Sequence, residues 1–266
     1  APRDGEYIAR ISDVRGFGGD SEFGYRLSIR DPRPGFTVAV GGKGAKVSPG
    51  SGRELHFSAT RLEGFEGPIR IEIENLPEGF HATTPVVIEE GQIHAFGVVS
   101  AAADAKEPST EALAAVKLTA RAEIRGVEVT QDLGDLGALG VGGAPKLTVE
   151  ILPVEGDESV TRDEQGRYVF EIRPGGRIEA RVRATRHDFA ARIELGGDDS
   201  GRNLPHGVFV DDIGLNGLLI VEGETERDFF ITASPIAKPG ARLFHLRATA
   251  DGGQCSAPAV LRVVGE

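Results

Sequence analysis

The feature that most narrows what this chain can fold into is that it contains itself twice. Asn75-Leu76-Pro77-Glu78-Gly79 returns as Asn203-Leu204-Pro205-His206-Gly207, and matched blocks flank both copies. Upstream, Gly52-Arg53, Glu54 and Ala59-Thr60-Arg61 answer to Gly176-Arg177, Glu179 and Ala184-Thr185-Arg186, about 125 residues further on. Arg70-Ile71-Glu72-Ile73 aligns with Arg192-Ile193-Glu194-Leu195, which leaves a shorter connection before this block in the second copy. Downstream, Ile88, Gly91 and Val98 meet Ile220, Gly223 and Phe230, and Val116, Leu118, Ala120 and Ala122 meet Phe244, Leu246, Ala248 and Ala250. Spacers change length while apolar positions keep their order, as in duplicated domains whose insertions are confined to surface loops. Solenoid and propeller repeats run roughly 20 to 50 residues, so this period is too long for either. Each copy is instead large enough to enclose its own core.

Within each copy the hydrophobic pattern has period two. Leu55, Phe57 and Ala59 alternate with polar residues, as do Ile69, Ile71 and Ile73, which predicts strands with one face in a core. Val86 to Ile88, Ala95 to Val99, Val116 to Ile124 and Val127 to Val129 continue the series. In the second copy the strands are expected over 168–172, 178–185, 208–210, 218–221, 229–233, 243–250 and 259–264. Leu76-Pro77-Glu78-Gly79 reads as a turn, because Pro fixes φ and Gly admits the left-handed region. About seven strands per copy is the count of an immunoglobulin-like sandwich, here without the inter-sheet cysteine pair or the core Trp, which related folds also lack. The expected fold class is therefore all-β: tandem immunoglobulin-like β-sandwiches, with an N-terminal hairpin segment. The expected division is 1–38, 39–150 and 151–266.

Two stretches are less regular. Ser109 to Leu118 has good helix formers after a Ser-Thr start, but its counterpart contains Pro239-Gly240, so a strand over Ala115 to Glu123 is expected, preceded at most by one helical turn. The glycine-rich run Leu133 to Gly143 predicts a flexible surface loop, too turn-rich to pack as a regular element.

At the N-terminus, Tyr7, Ala9 and Ile11, then Tyr25, Leu27 and Ile29, alternate around the glycine-rich loop Arg15 to Asp20, and so predict a hairpin. An isolated hairpin is marginal in water, so this segment is expected to pack on the following module or to belong to a domain starting upstream. Asp4 to Asp13, the loop, and Phe23-Gly24-Tyr25-Arg26-Leu27-Ser28-Ile29 resemble the last strands of the bacterial pre-peptidase C-terminal domain. That family comprises β-sandwich modules appended to secreted enzymes, mainly proteases, and to surface proteins. The two repeats resemble the immunoglobulin-like modules found in tandem in large bacterial surface proteins. Both resemblances imply an extracytoplasmic setting.

Composition sets further limits. Of 266 residues 37 are Gly and 15 Pro, which suits short strands joined by turns. The formal net charge of −11 argues against nucleic acid, which demands clustered Lys and Arg. No run of about 18 apolar residues is present, so no membrane insertion is expected. The chain has no Met, as expected of a processed product or a piece of a longer polypeptide. Its one cysteine, Cys255, permits no intrachain disulfide and is expected to be a small buried hydrophobe.

No catalytic motif emerges. Pro49-Gly50-Ser51-Gly52 lacks the spacing of a serine elbow and precedes a strand, so it reads as a turn. His56, His81, His94, His187, His206 and His245 show no metal-ligand spacing, and none aligns with a histidine in the other copy, so surface positions are expected for them. His187-Asp188 are neighbours that a strand would point to opposite faces. No phosphate-binding glycine motif precedes a helix. Asp198 and Asp199, with Asp211 and Asp212, could supply the hard oxygen ligands that Ca²⁺ takes, against the plain alternative of solvated acidic loops. Asp13, Asp20 and Glu22 around the first hairpin loop form a second such set. No other cofactor is expected.

These readings predict a non-catalytic modular part of a large secreted or surface bacterial protein, acting as spacer, adhesion or docking domains. Its partners would be other domains of the same polypeptide, with a surface protein or polysaccharide as ligand. The alternative, a carbohydrate-binding accessory module of a secreted hydrolase or protease, calls for exposed aromatics. The chain has no Trp, and only Tyr7, Tyr25 and Tyr168 as tyrosines.

Overall fold

A computed structural model describes residues 3–11, 24, 26–197, 200–211 and 213–265. The chain divides into two units, Ala1–Arg33 and Pro34–Glu266. In the first, residues 6–11 and 26–33 lie in no strand, in place of the expected hairpin. Ile11 is 55% exposed and Ile29 83%, so the alternation buries no apolar face there and the segment gains little from pairing. The expected loop at 15–20 and Tyr25 lie outside the described residues, as do Asp13, Asp20 and Glu22.

The second unit is built as two sandwiches. The first comprises β1 (Gly35–Gly41), β2 (Lys46–Val47), β3 (Gly52–Leu62), β4 (Ile69–Glu74), β5 (Phe80–Ala82), β6 (Val86–Ile88) and β7 (His94–Ala101), then α1 (Thr110–Ala115), β8 (Lys117–Ile124), β9 (Val127–Gly134) and β10 (Gly140–Val141). Its two four-stranded sheets run β1-β3-β7-β5 and β6-β4-β8-β9, and β10 pairs in parallel with β2. The second has β11 (Leu147–Leu152), β12 (Thr161–Arg162), β13 (Tyr168–Ile172), β14 (Arg177–Arg186), β15 (Ile193–Glu194), β16 (Val208–Asp211), β17 (Leu219–Ile220), β18 (Glu226–Ala233), β19 (Gly240–Phe244) and β20 (Ala259–Val263). Here β11-β14-β18-β16 repeats the first sheet, β15 pairs with β17 as β4 does with β6, and β20 runs parallel to β13 as β10 does to β2. Both halves are immunoglobulin-like sandwiches that share the order of one four-stranded sheet; the other is β6-β4-β8-β9 in the first half and β12-β13-β20-β19 in the second. β1 and β11 straddle the boundaries expected at 38/39 and 150/151.

Each sandwich closes on its own core. Phe57, Ile69, Ile71, Ile88, Leu118 and Ala120 are fully buried in the first, and Phe170, Ala180, Val182, Phe229, Ile231, Leu246 and Leu261 are nearly or fully buried in the second. The alternation that predicted β3 is the alternation that buries it: Leu55 and Phe57 point inward while Glu54, His56 and Ser58 lie on the outer face.

The repeated turn is the same object in both copies. Asn75 and Asn203 both take positive φ (57° and 71°), and so do Gly79 and Gly207 (79° and 83°). Phe80 N donates to Pro77 O at 3.0 Å and Val208 N to Pro205 O at 2.9 Å. Gly79 O accepts from Ala102 N at 2.8 Å, as Gly207 O does from Ser234 N at 2.7 Å. One aligned block does shift. Ile69 pairs with Ile88 and Ile193 with Ile220, so Ile69, and not Ile71, is the structural equivalent of Ile193. A slip of two along an alternating strand keeps every apolar residue on the same face, so the pattern alone does not reveal it.

Two irregular stretches resolve differently. Ser109 caps α1, its hydroxyl accepting from Ala112 N at 3.2 Å, and the chain enters β8 directly afterwards. The run from Leu133 to Gly143 is not a free loop. Leu136 and Leu139 are each 2% exposed in the core, and Gly44 N donates to Leu136 O at 2.6 Å. Gly137, at φ 69°, turns the chain so that both leucines face inward, with β10 continuing as a strand.

Candidate functional site

A dense polar cluster lies where the second sandwich meets the outer face of β3 and β7. Alternation along β3 puts Glu54, His56 and Ser58 on that face, and the register His56 opposite Phe96, Ser58 opposite His94 adds His94 and Phe96. Across the seam, the repeated turn contributes Arg202, Asn203 and His206, and β19 with the residue after it contributes Arg242 and His245.

Glu54 is the hub. Arg202 grips it with two parallel hydrogen bonds, Nε to Oε1 at 2.7 Å and Nη2 to Oε2 at 2.9 Å, and His245 Nε2 lies 3.2 Å from Oε1. Side-chain exposure is 12% for Glu54, 15% for Arg202 and 1% for His245, so the expectation that the histidines sit on the surface fails at His245. Burial alone pushes the Glu54 carboxyl up, but the hydrogen bonds from His245 and Arg202 outweigh it and bring it down to about 2. Burial holds His245 below its ordinary value, so Glu54 is a carboxylate facing a neutral imidazole. Arg202 also lies 3.8 Å above the Phe96 ring, and His56 stacks on Phe96 at 4.8 Å between centroids.

Two further patches extend the seam. Around Gln254, Cys255 N donates to Gly52 O at 3.0 Å, Ser51 Oγ donates to Gln254 Oε1, and Arg53 Nη1 donates to Asp251 O at 3.0 Å. Cys255 is buried, and that burial pushes its thiol up to about 12, leaving it protonated and unreactive. On the other side Glu89 accepts from His206 N at 2.8 Å and pairs with Arg242 at 2.8 Å, while Arg242 also donates to Val87 O. Between the Glu89–Arg242 pair and the Arg202–Phe96 contact lies a cleft of about 280 Å³, also lined by Gln92, His94, Asn203 and His206.

Of the residues singled out for calcium, Asp211 alone is described. Asp211 ends β16, where Thr232 Oγ1 donates to its Oδ2 at 3.2 Å. Asp198, Asp199 and Asp212 lie outside the described residues. Among the described residues, no group of three or more His, Cys, Asp or Glu side chains is placed to hold a metal ion. Ser51 is buried against Gln254 in a turn with Gly50 at φ 71°. The sequence signals that could have flagged the seam were Glu54 and His56 on the outer, polar face of a predicted strand, and an Asn203 motif with His206 where the first copy has Glu78.

No protein-family model matches the chain, and no curated protein matches its sequence. Solved structures resemble it loosely. Domains 5–6 of the S-layer protein SbsC align over 88% of this chain and 100% of theirs, at 16% identity and a TM-score of 0.29. The fibronectin(III)-like modules of Clostridium thermocellum CbhA cover 86% and 94%, at 14% identity and TM-score 0.23. The D0–D1 domain of Intimin covers 86% and 98%, at 10% identity and TM-score 0.27. Likeness at this level carries no information about role, and the fold assignment rests on the strand pairings above.

Proposed function

We propose that the two sandwiches serve as a rigid spacer or docking unit in a larger secreted or cell-surface protein, without catalytic activity of their own. The observation that carries this reading is the Glu54–Arg202–His245 cluster: a charged hub shielded from water that joins the modules by directional bonds rather than by a flexible linker. A bidentate arginine fixes orientation as well as distance. With the Gly52–Cys255 backbone bond beside it, one relative arrangement is favoured, as a spacer requires. The likeness of the two repeats to the immunoglobulin-like modules found in tandem in large bacterial surface proteins supports an extracytoplasmic host.

Small-angle scattering, with distance distributions between spin labels on exposed positions of each sandwich, tests this. One narrow distribution is expected for the native chain, broadening in Arg202→Ala. A broad distribution in the native chain would sink the reading.

A further inference from the structure

We propose that His56 and His94 form a two-imidazole chelating site for a divalent transition cation of the Ni²⁺, Cu²⁺ or Zn²⁺ class, its remaining positions filled by water. His56 Nε2 and His94 Nδ1 lie 3.0 Å apart, with ring centroids 4.9 Å apart. Two imidazole nitrogens bound to one cation at about 2.0–2.1 Å, in adjacent positions, are themselves separated by roughly 3 Å, so the bite distance is already present. Binding replaces one ring-to-ring hydrogen bond with two metal–nitrogen bonds, the proton between the rings passing to the other nitrogen of the donor imidazole as it changes tautomer.

The backbone sets the pair in place. β3 and β7 are neighbouring antiparallel strands in the middle of a four-stranded sheet, and the two histidines stand diagonally on one face. His56 is further held by its stacking on Phe96, so little side-chain freedom is lost on binding. Ser58 Oγ, 3.4 Å from His56 Nε2, stands beside the site. Access comes from the seam cleft, where His94 is exposed and lines the wall with Glu89 and His206.

The donor chemistry selects the cation. Imidazole suits Ni²⁺, Cu²⁺ and Zn²⁺, whereas Ca²⁺ and Mg²⁺ want oxygen. Arg202 opposes an added positive charge and Glu54, on the same strand face, offsets it.

Isothermal titration of the full chain with NiCl₂ tests the site, with His56→Ala, His94→Ala and the exposed control His187→Ala. One equivalent should bind to the native chain and to the control, and each of the two site variants should bind about tenfold more weakly or not at all. Circular dichroism confirms that the variants keep their β signature. Paramagnetic resonance of bound Cu²⁺ should show two equatorial imidazole nitrogens, falling to one in either variant. No binding by the native chain, or binding unchanged in His56→Ala and His94→Ala, overturns the proposal.

Discussion

Arg61 and Arg186, equivalent positions at the ends of β3 and β14, do the same work in their respective sandwiches. Arg61 donates to the carbonyls of Gln92 (2.9 Å), Gly67 (2.6 Å) and Glu89 (2.7 Å). Arg186 donates to those of Glu224 (2.9 Å), Ala191 (2.6 Å), Val221 (3.0 Å) and Phe189 (3.1 Å). The planar fork satisfies carbonyls from two loops that no strand ladder reaches, and so ties them to one strand end. Lysine is a point charge with a different reach, so Arg61→Lys and Arg186→Lys should each cost about 2 kcal/mol in denaturant unfolding, with the loss confined to the altered sandwich. Equal stability of both variants and the native chain would show the clamp to be incidental.

That clamp also shows how far the sequence could be read. Arg61 and Arg186 stood in matched blocks, so their equivalence was visible, but their partners are loop carbonyls, which carry no side-chain signal. Strand positions were legible because Leu55, Phe57, Ile69 and Ile71 alternate with polar residues, and alternation is what a half-buried strand requires. The offset between Ile69 and Ile193 was not, since a period of two hides a slip of two. The seam was hidden for another reason. Glu54, Arg202 and His245 are far apart in sequence, and no periodic pattern links a carboxylate on one strand to an arginine and a histidine about 150 and 190 residues further on.

The duplicated turn allows a graded test. A Cβ on Gly79 would come within 3.1 Å of the Ala105 Cα at φ 79°, whereas on Gly207 the nearest backbone atoms of Ala237 lie at 3.5 Å at φ 83°. Both substitutions strain the left-handed backbone equally, so the difference isolates the steric contact. Thermal melts should show Gly79→Ala and Gly207→Ala each destabilising by about 1 kcal/mol or more, with Gly79→Ala the worse. The reverse order would mean the two turns relax differently despite their matched geometry.

Leu136 sits in a segment whose glycine content reads as loop, yet it is sealed in the first core. Leu136→Ala should therefore behave as a core truncation, losing about 2–4 kcal/mol in urea unfolding. A true surface loop would tolerate the change to within about 0.5 kcal/mol. The measurement separates the two directly.

Acid should loosen the seam through two groups whose effects share a sign. Glu54 ionises in the folded chain at about 2 against 4.5 for the free group, so its contribution is complete above about 4.5 and is lost as pH falls from there toward 2. Burial keeps His245 neutral below its ordinary 6.5, with Arg202 and Arg247 further opposing its charge and Glu54 favouring it. The unfolded chain therefore takes up that proton first, and stability begins to fall as pH drops through 6.5. The melting temperature should decline gently from pH 7 to 5 and more steeply below 4.5. Glu54→Gln should cost on the order of 2 kcal/mol at pH 7, because Arg202 loses its counter-charge in a shielded setting, and should flatten the steep limb below pH 4.5 while leaving the gentle one. If the native chain and Glu54→Gln trace parallel curves from pH 7 to 3, the acid response arises elsewhere and the carboxylate is not the hub that its bonds to Arg202 and His245 make it.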